Sequence, residues 1–271
     1  MKNDNPESDR NQKNMKHQFL VTSPRERAGT TKRATALLPL LALAIGCAGT
    51  RLGAAESPAR LDPSLVVPPY LQAVTPEGAS ILWRTASPAY GWVEYGTTPE
   101  LGQRQDWVID GLRNANTVHH RARLTGLVSG RTYSYRVCWR VIRSFGAYRV
   151  DFQEPTQHSE TFRFTLPTPK RQTLKVSFLN DLHNRYETFA ALAKLIEAFD
   201  PEAVFFNGDC FSDPGNEPAV IKALQVYNAG VGADRRPVHY VRGNHEMRDA
   251  YARPFKRHFD FPNGEYYYKR L

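Results

Sequence analysis

The chain has 271 residues, 41% hydrophobic and 23% charged, a globular composition with room for one large domain or two ordinary ones. Its net charge of +9 does not mark a nucleic-acid surface, because the excess sits at one end. Residues 1–60 hold ten Lys/Arg against five Asp/Glu, while the remaining 211 hold 26 against 22, so a basic leader precedes a near-neutral body.

The N-terminal stretch reads as an export signal. Lys32 and Arg33 precede "ATALLPLLALAIGC", an apolar run of signal length and too short for a comfortable membrane span. "AIGC" resembles a bacterial lipobox and implies a lipid, hence membrane attachment, on Cys47; "GAA" at 53–55 offers signal peptidase an alternative. The bland reading is an apolar helix of an intracellular protein. The polar stretch before Lys32 is long for a signal, which suggests a start at Met15 or later. The leader is placed at 1–55 and the protein is expected to be exported: periplasmic, extracellular or membrane-anchored. Three cysteines make no disulfide framework, and Cys138 and Cys210 are expected to be free thiols.

A Pro- and Ser-punctuated linker is expected over 56–68. Short strand-like runs follow: "YLQAV", "ASILWRT", "GWVEYGT", "HHRARLTGL", "RTYSYRVCWRVI" and "TFRFTL", separated by turn signals such as "TPEGA", "SPAYG" and "VSG". Their spacing predicts a β-sandwich over 69–167. "LTGLVSGRTYSYRV" resembles the end of a fibronectin type III domain, with Leu127, Tyr133 and Tyr135 in the matching positions. His119 and His120 lie on one of these strands, one exposed and one half-buried, or else in a domain-interface or substrate contact.

After the Pro-rich joint "LPTPKRQ" the pattern changes. "TLKVSFLND", "PEAVFFNGD" and "RPVHYVRGN" read as strands. "YETFAALAKLIEAF" and "EPAVIKALQVYNAG" have helical spacing, and "MRDAYARPFKRHF" reads as a further helix kinked or split at Pro254. Alternating strand and helix predicts parallel strands joined by crossovers over 173–271.

Each of these strands ends in a polar cluster: Asn180-Asp181-Leu182-His183, Asn207-Gly208-Asp209 and Gly243-Asn244-His245-Glu246. Ligands of open α/β sheets bind at the carboxyl ends of the strands, so the clusters should converge. Carboxylate, imidazole and amide oxygen together suit Mn, Fe or Zn. A carboxylate at a strand end can bridge two such ions, as suits phosphoester hydrolysis. Gly208 and Gly243 fit tight turns that bring backbone near the metals. Each cluster alone has a plain reading as a turn or a helix cap; the three in order point to a metal site.

"DLH…GD…GNHE" resembles the first three metal-binding blocks of the calcineurin-like metallophosphoesterases. The preceding sandwich resembles the purple acid phosphatase-like branch. The fold class implied is a fibronectin type III-like β-sandwich followed by part of a metallophosphoesterase α/β sandwich. The resemblance implies Asp181 and His183 on a first metal, Asp209 bridging, Asn244 on a second, and His245 beside the scissile phosphate as acid or transition-state stabiliser. It thus implies two divalent ions (Fe, Mn or Zn) and a phosphate ester substrate. Glu246 is expected to cap the following helix or to orient His245. In purple acid phosphatases a Tyr stands three residues after the bridging Asp; here Ser212 does, and Cys210 is expected to be a small buried residue.

The family completes its site with a lone His and a Gly-His-x-His block. After Asn244 this sequence has His245 and His258, and His258 is a poor ligand candidate in a helix-like run. The chain is therefore expected to be a fragment or a short form, with little or no phosphatase activity alone and with apolar sheet surface exposed. The rival readings are a non-catalytic exported binding protein that uses the sandwich, and an intracellular nucleic-acid enzyme. The leader and the near-neutral body speak against the latter.

Overall fold

The computed structural model describes residues 63–169 and 172–261; the 1–55 leader, Cys47 and most of the predicted linker lie outside them. The first described part is the expected β-sandwich. Its strands are β1 (Leu65–Thr75), β2 (Gly78–Gly96), β3 (Gln103–Asp106), a small hairpin β4 (Val108–Ile109) and β5 (Leu112–Arg113), β6 (Thr117–Leu124), β7 (Thr132–Phe145), β8 (Val150–Phe152), β9 (Gln157–His158) and β10 (Phe162–Thr165). β1 begins inside the stretch read as a linker, because Leu65 and Val67 are buried and their strand pairs with Thr85 and Arg84.

One strand builds both sheets. The first half of β2 pairs with β1 and β6, and the second half pairs with β3 and β7. "ASILWRT" and "GWVEYGT" are thus one bent strand and not two. The pairing with β6 breaks between Arg84 and Ala89, and the exposed residues 86–88 carry the chain from one sheet to the other. β10 pairs with β7 on its other side. The core closes around Trp83, Tyr135 and Trp139. Leu127, Tyr133 and Tyr135 are all buried, and the Tyr133 hydroxyl accepts from the Val128 amide at 3.0 Å, which fixes the turn into β7.

The second part follows the predicted alternation: β11 (Val176–Leu179), α1 (Tyr186–Phe199), β12 (Ala203–Asn207), α2 (Glu217–Val231) and β13 (Val238–Val241). The strands are parallel in the order β11-β12-β13. α2 is capped as its sequence suggests: Asn216 Oδ1 accepts from Ala219 N at 3.0 Å, Pro218 sits in the first turn, and Gly232 ends the helix at φ 62°.

The two parts share a core. Val204 and Phe206 of β12, Val238 and Tyr240 of β13 and one face of α2 pack with Val67, Tyr70 and Leu82 of the sandwich. This explains why residues 78–83 of β2 are buried without alternation: Ala79, Ile81 and Trp83 face the sandwich core, while Leu82 and Ser80 face the α/β layer. β6 is split the same way. His120, Ala122 and Leu124 point inward, and Arg121 and Arg123 reach Asp260 across the interface. Of the two histidine readings, the exposed one is corrected, since neither ring is exposed, and the interface contact holds for His119. His120 is buried and stacked on Trp83, and His119 stands half-buried against Glu217.

The predicted third helix is also corrected. Residues 247–253 form turns, and a 3₁₀ helix spans Pro254–His258. Asp249 adopts φ 66°, a left-handed conformation that interrupts a right-handed helix. Pro254 starts the 3₁₀ turn, where its missing N–H is not needed.

Candidate metal centre

The three polar clusters meet at the carboxyl ends of β11, β12 and β13. The chain leaves the first two strands in parallel: Asp181 N donates to Gly208 O at 3.2 Å, His183 N to Asp209 O at 3.1 Å and Asn184 N to Cys210 O at 3.1 Å. Asp181, His183, Asn184 and Asp209 all have positive φ, the sparsely populated backbone region that collects at functional sites.

Two glycines make the approach possible. A Cβ on Gly243 would stand 2.2 Å from Asp209 Oδ1 and 2.5 Å from Asp209 N. Gly208 is at φ 88°, with Gly243 Cα 3.0 Å from where its Cβ would be. Their smallness therefore serves the contact between the β12 and β13 loops, and through it the position of the Asp209 carboxylate.

His183, Asp209 and His245 bring one ligand atom each within 4.8 Å of one another. The two imidazoles meet edge-on with centroids 4.3 Å apart. Asp181 Oδ1 is 3.6 Å from His183 Nε2, although its side chain is 64% exposed. The Asn244 amide lies 2.7 and 3.0 Å from the two Asp209 oxygens; complementarity puts its nitrogen on that side and its oxygen 2.5 Å from Arg248 Nη2. A cation on Asp209 needs the amide oxygen instead, which a half turn of the amide supplies. The Asp181 and Asp209 carboxylates, the His183 imidazole and an amide oxygen form a set that fits a first-row divalent ion.

His245 is held from several sides. Its Nδ1 is 3.2 Å from the Ser212 carbonyl oxygen and 3.3 Å from Asp213 Oδ1. The carbonyl can only accept, so Nδ1 carries the proton and Nε2 is the nitrogen left for chemistry. Its backbone N–H donates to Asp209 Oδ1 at 2.9 Å. Arg248 Nη1 stands 3.3 Å from both ring nitrogens. Ser212, at the position where purple acid phosphatases carry Tyr, spends its hydroxyl on the His183 carbonyl at 2.8 Å.

Glu246 does neither thing expected of it. It is 1% exposed, and its carboxylate accepts from the backbone N–H groups of Asp209 (3.0 Å), Gly243 (2.8 Å) and Phe211 (2.9 Å). No helix begins here for it to cap, and its oxygens bind the β12 loop to the β13 loop. Cys210 is buried, with its thiol against the Leu179 and Gly208 carbonyls, and burial pushes its pKa up to about 12. It is an inert thiol and not a ligand. Both Cys138 and Cys210 are free.

Sequence reasoning missed Asp213 and Arg248, the charged neighbours of His245. Asp213 lies in the "GDCFSD" segment; Arg248 carries no motif of its own and was hidden inside the supposed helix.

The family model for calcineurin-like phosphoesterases matches residues 174–270. The match takes in Asp181, His183, Asp209, Asn244 and His245. Comparison with curated proteins finds no sequence match. Among solved structures, the chain is similar to purple acid phosphatase PPD1 from yellow lupin (Lupinus luteus) seeds, with 16% identity and a TM-score of 0.52 over 72% of this chain and 40% of that one. It is also similar to PhoD, with 11% identity and a TM-score of 0.47 over 71% of this chain and 41% of that one. This chain thus spans about two fifths of the length of either.

Proposed function

We propose that this chain is a metal-dependent phosphoesterase that hydrolyses phosphate mono- or diesters. The observation that carries the reading is the convergence of His183, Asp209 and His245 at three adjacent strand ends, inside a segment of phosphoesterase pattern. Asp181, His183, Asp209 and Asn244 are the residues to hold metal, with Asp209 central because it contacts Asn244 and His245 directly. Divalent ions held there supply Lewis-acid polarisation of the ester and an acidified water.

The chain's own residues do the rest. His245, with Nδ1 against the Ser212 carbonyl and Asp213, presents Nε2 toward the site; protonated, it donates to the departing ester oxygen. Asp213 stabilises that imidazolium. Arg248, half-exposed beside His245, is placed to meet a phosphate oxygen. Glu246 keeps the two loops in register. If the site is dinuclear, the described residues offer the second ion the shared Asp209 carboxylate and the Asn244 amide, so turnover by this 271-residue chain is expected to be slow.

The test is hydrolysis of p-nitrophenyl phosphate and bis-p-nitrophenyl phosphate by the full chain in Mn²⁺, Zn²⁺ or Fe²⁺. A slow activity, abolished by chelator and at least ~100-fold lower in Asp209→Ala, supports the proposal. Metal-independent turnover, turnover indifferent to Asp209→Ala, or no turnover with any of the three metals sinks it and favours a non-catalytic binding role.

A further inference from the structure

A second group of metal-type donors lies away from the strand ends, where the sandwich meets the α/β layer. His119 stands on the outer face of β6, Glu217 is the first residue of α2, and His258 is the last residue of the 3₁₀ helix. One ligand atom from each lies within 4.8 Å of the others. His119 Nε2 is 2.9 Å and His258 Nε2 is 4.0 Å from the same Glu217 oxygen. The two rings meet edge-on at 4.8 Å, and the Tyr251 hydroxyl lies 3.0 Å from His258 Nε2.

We propose that His119, Glu217 and His258 form a zinc-class divalent metal site that pins the sandwich to the α/β layer. Two imidazole nitrogens and a carboxylate oxygen are a ligand set for such ions, with metal–ligand bonds of ~2.0–2.2 Å. Tetrahedral geometry at those bond lengths separates ligand atoms by roughly 3.3–3.6 Å. The observed 2.9 and 4.0 Å to the Glu217 oxygen lie on either side of that value, and all three ligand atoms lie within 4.8 Å of one another, so shifts on the order of an ångström complete the geometry. The Tyr251 oxygen, or a water, takes the fourth position.

The surroundings favour a cation in a particular way. Burial lowers the basicity of both imidazoles, taking His258 down to about 3, so their lone pairs are free at neutral pH. Burial alone would raise the Glu217 carboxyl, but its bond to Arg84 outweighs this and keeps it ionised. Arg84 Nε donates to Glu217 Oε1 at 3.2 Å. Hydrogen bonds of this kind orient ligating carboxylates, and the same guanidinium competes with the metal, which makes this a site of moderate affinity. The three donors come from both parts of the fold and from no shared motif, so a bound ion joins elements that the chain brings together only on folding.

The test uses the full chain carrying Asp209→Ala, which removes the central carboxylate of the other centre. Titration with Co²⁺ should give one ion per chain with the intense visible bands of four-coordinate cobalt, displaced by Zn²⁺. Adding His119→Gln should weaken Co²⁺ binding at least 10-fold. His119 is the residue to change, because His258 is buried and its loss risks misfolding; unchanged tryptophan fluorescence verifies the fold. An Asp209→Ala chain that takes up no Co²⁺, or uptake unchanged by His119→Gln, overturns the proposal and leaves these residues as hydrogen-bonding contacts. Because the readout is cobalt binding without the Asp209 centre, its failure is distinct from failure of the phosphoesterase reading.

Discussion

The sandwich and the α/β layer bury their apolar residues on different plans. The sandwich closes on itself: its two sheets face each other around Trp83, Tyr135 and Trp139. The three-stranded sheet of the α/β layer buries one face, where Phe206 and Tyr240 stack at 4.5 Å among the residues of α1, α2 and the sandwich. Its other face leaves Phe178 58% and Val241 47% exposed. The α/β layer thus leans on the sandwich for part of its core, while the sandwich has a core of its own. The difference teaches that stability should be lent in one direction.

The largest test of that asymmetry is Phe206→Ala. Phe206 is fully buried and touches Phe189, Tyr227 and Tyr240; truncating such a ring costs ~3–5 kcal/mol. All four tryptophans (Trp83, Trp92, Trp107 and Trp139) lie in the sandwich, whereas α1 and α2 dominate the helical circular dichroism. Urea unfolding followed by both signals should show the helical transition falling by that amount while the tryptophan transition moves by less than ~1 kcal/mol. Equal shifts in both would mean that the sandwich depends on the layer as strongly as the layer depends on it.

A smaller effect is expected at the interface itself. Asp260 is 1% exposed in its side chain and accepts from Arg121 at 2.9 Å, from Arg123 at 2.8 Å and from Ser80. Burial would raise its pKa, but Arg121, then Arg123 and Ser80, outweigh burial and hold it below the usual carboxylate range. Because both arginines are partly exposed, Asp260→Asn should cost about 2–3 kcal/mol. A depressed folded pKa contributes stability that is complete above the unfolded value of about 3.9 and is lost as pH falls through the folded value. The gap between wild type and Asp260→Asn, measured by urea unfolding, should therefore be full at pH 7 and shrink below about pH 4. A gap independent of pH would remove Asp260 from the clasp.

Much of this arrangement was legible in the residues, and the exceptions have physical reasons. The strand-end clusters were readable because each rests on a short local motif and because parallel strands must end on the same side of their sheet. "SPAYG" looked like a turn, but a strand shared by two sheets can bend without reversing, and its residues carry no mark of that. Glu246 looked like a cap because Asn and Glu favour helix starts. What decides its role is three backbone N–H groups, two of them from a loop more than thirty residues earlier. Asp249 at φ 66° ends a helix that spacing alone predicted. His119 and Arg121 gave no sign of their partners, because β6 alternates as any half-buried strand does and its outer face is covered by a part of the fold that the period of two does not reveal.

The smallest effect should come from the open face. Phe178 stacks on Phe205 at 4.8 Å, and Phe205 stacks on His239 at 4.6 Å, so this face carries an aromatic row with Phe178 at the edge strand. A mostly exposed ring gives up little burial when removed, and a ring pair is worth about 0.5–1.5 kcal/mol beyond its area. Phe178→Ser should therefore lower stability by only about 0.5–1 kcal/mol, several-fold less than Phe206→Ala, which lies one residue along β12 from Phe205, the register partner of Phe178. Solution behaviour should respond in the opposite sense. An exposed aromatic ring on an edge strand is a template for association, so the variant should scatter less light than wild type at equal concentration. Unchanged scattering together with a stability loss near that of Phe206→Ala would mean that this face is packed as tightly as the other, and the contrast between the closed sandwich and the one-sided sheet would fall.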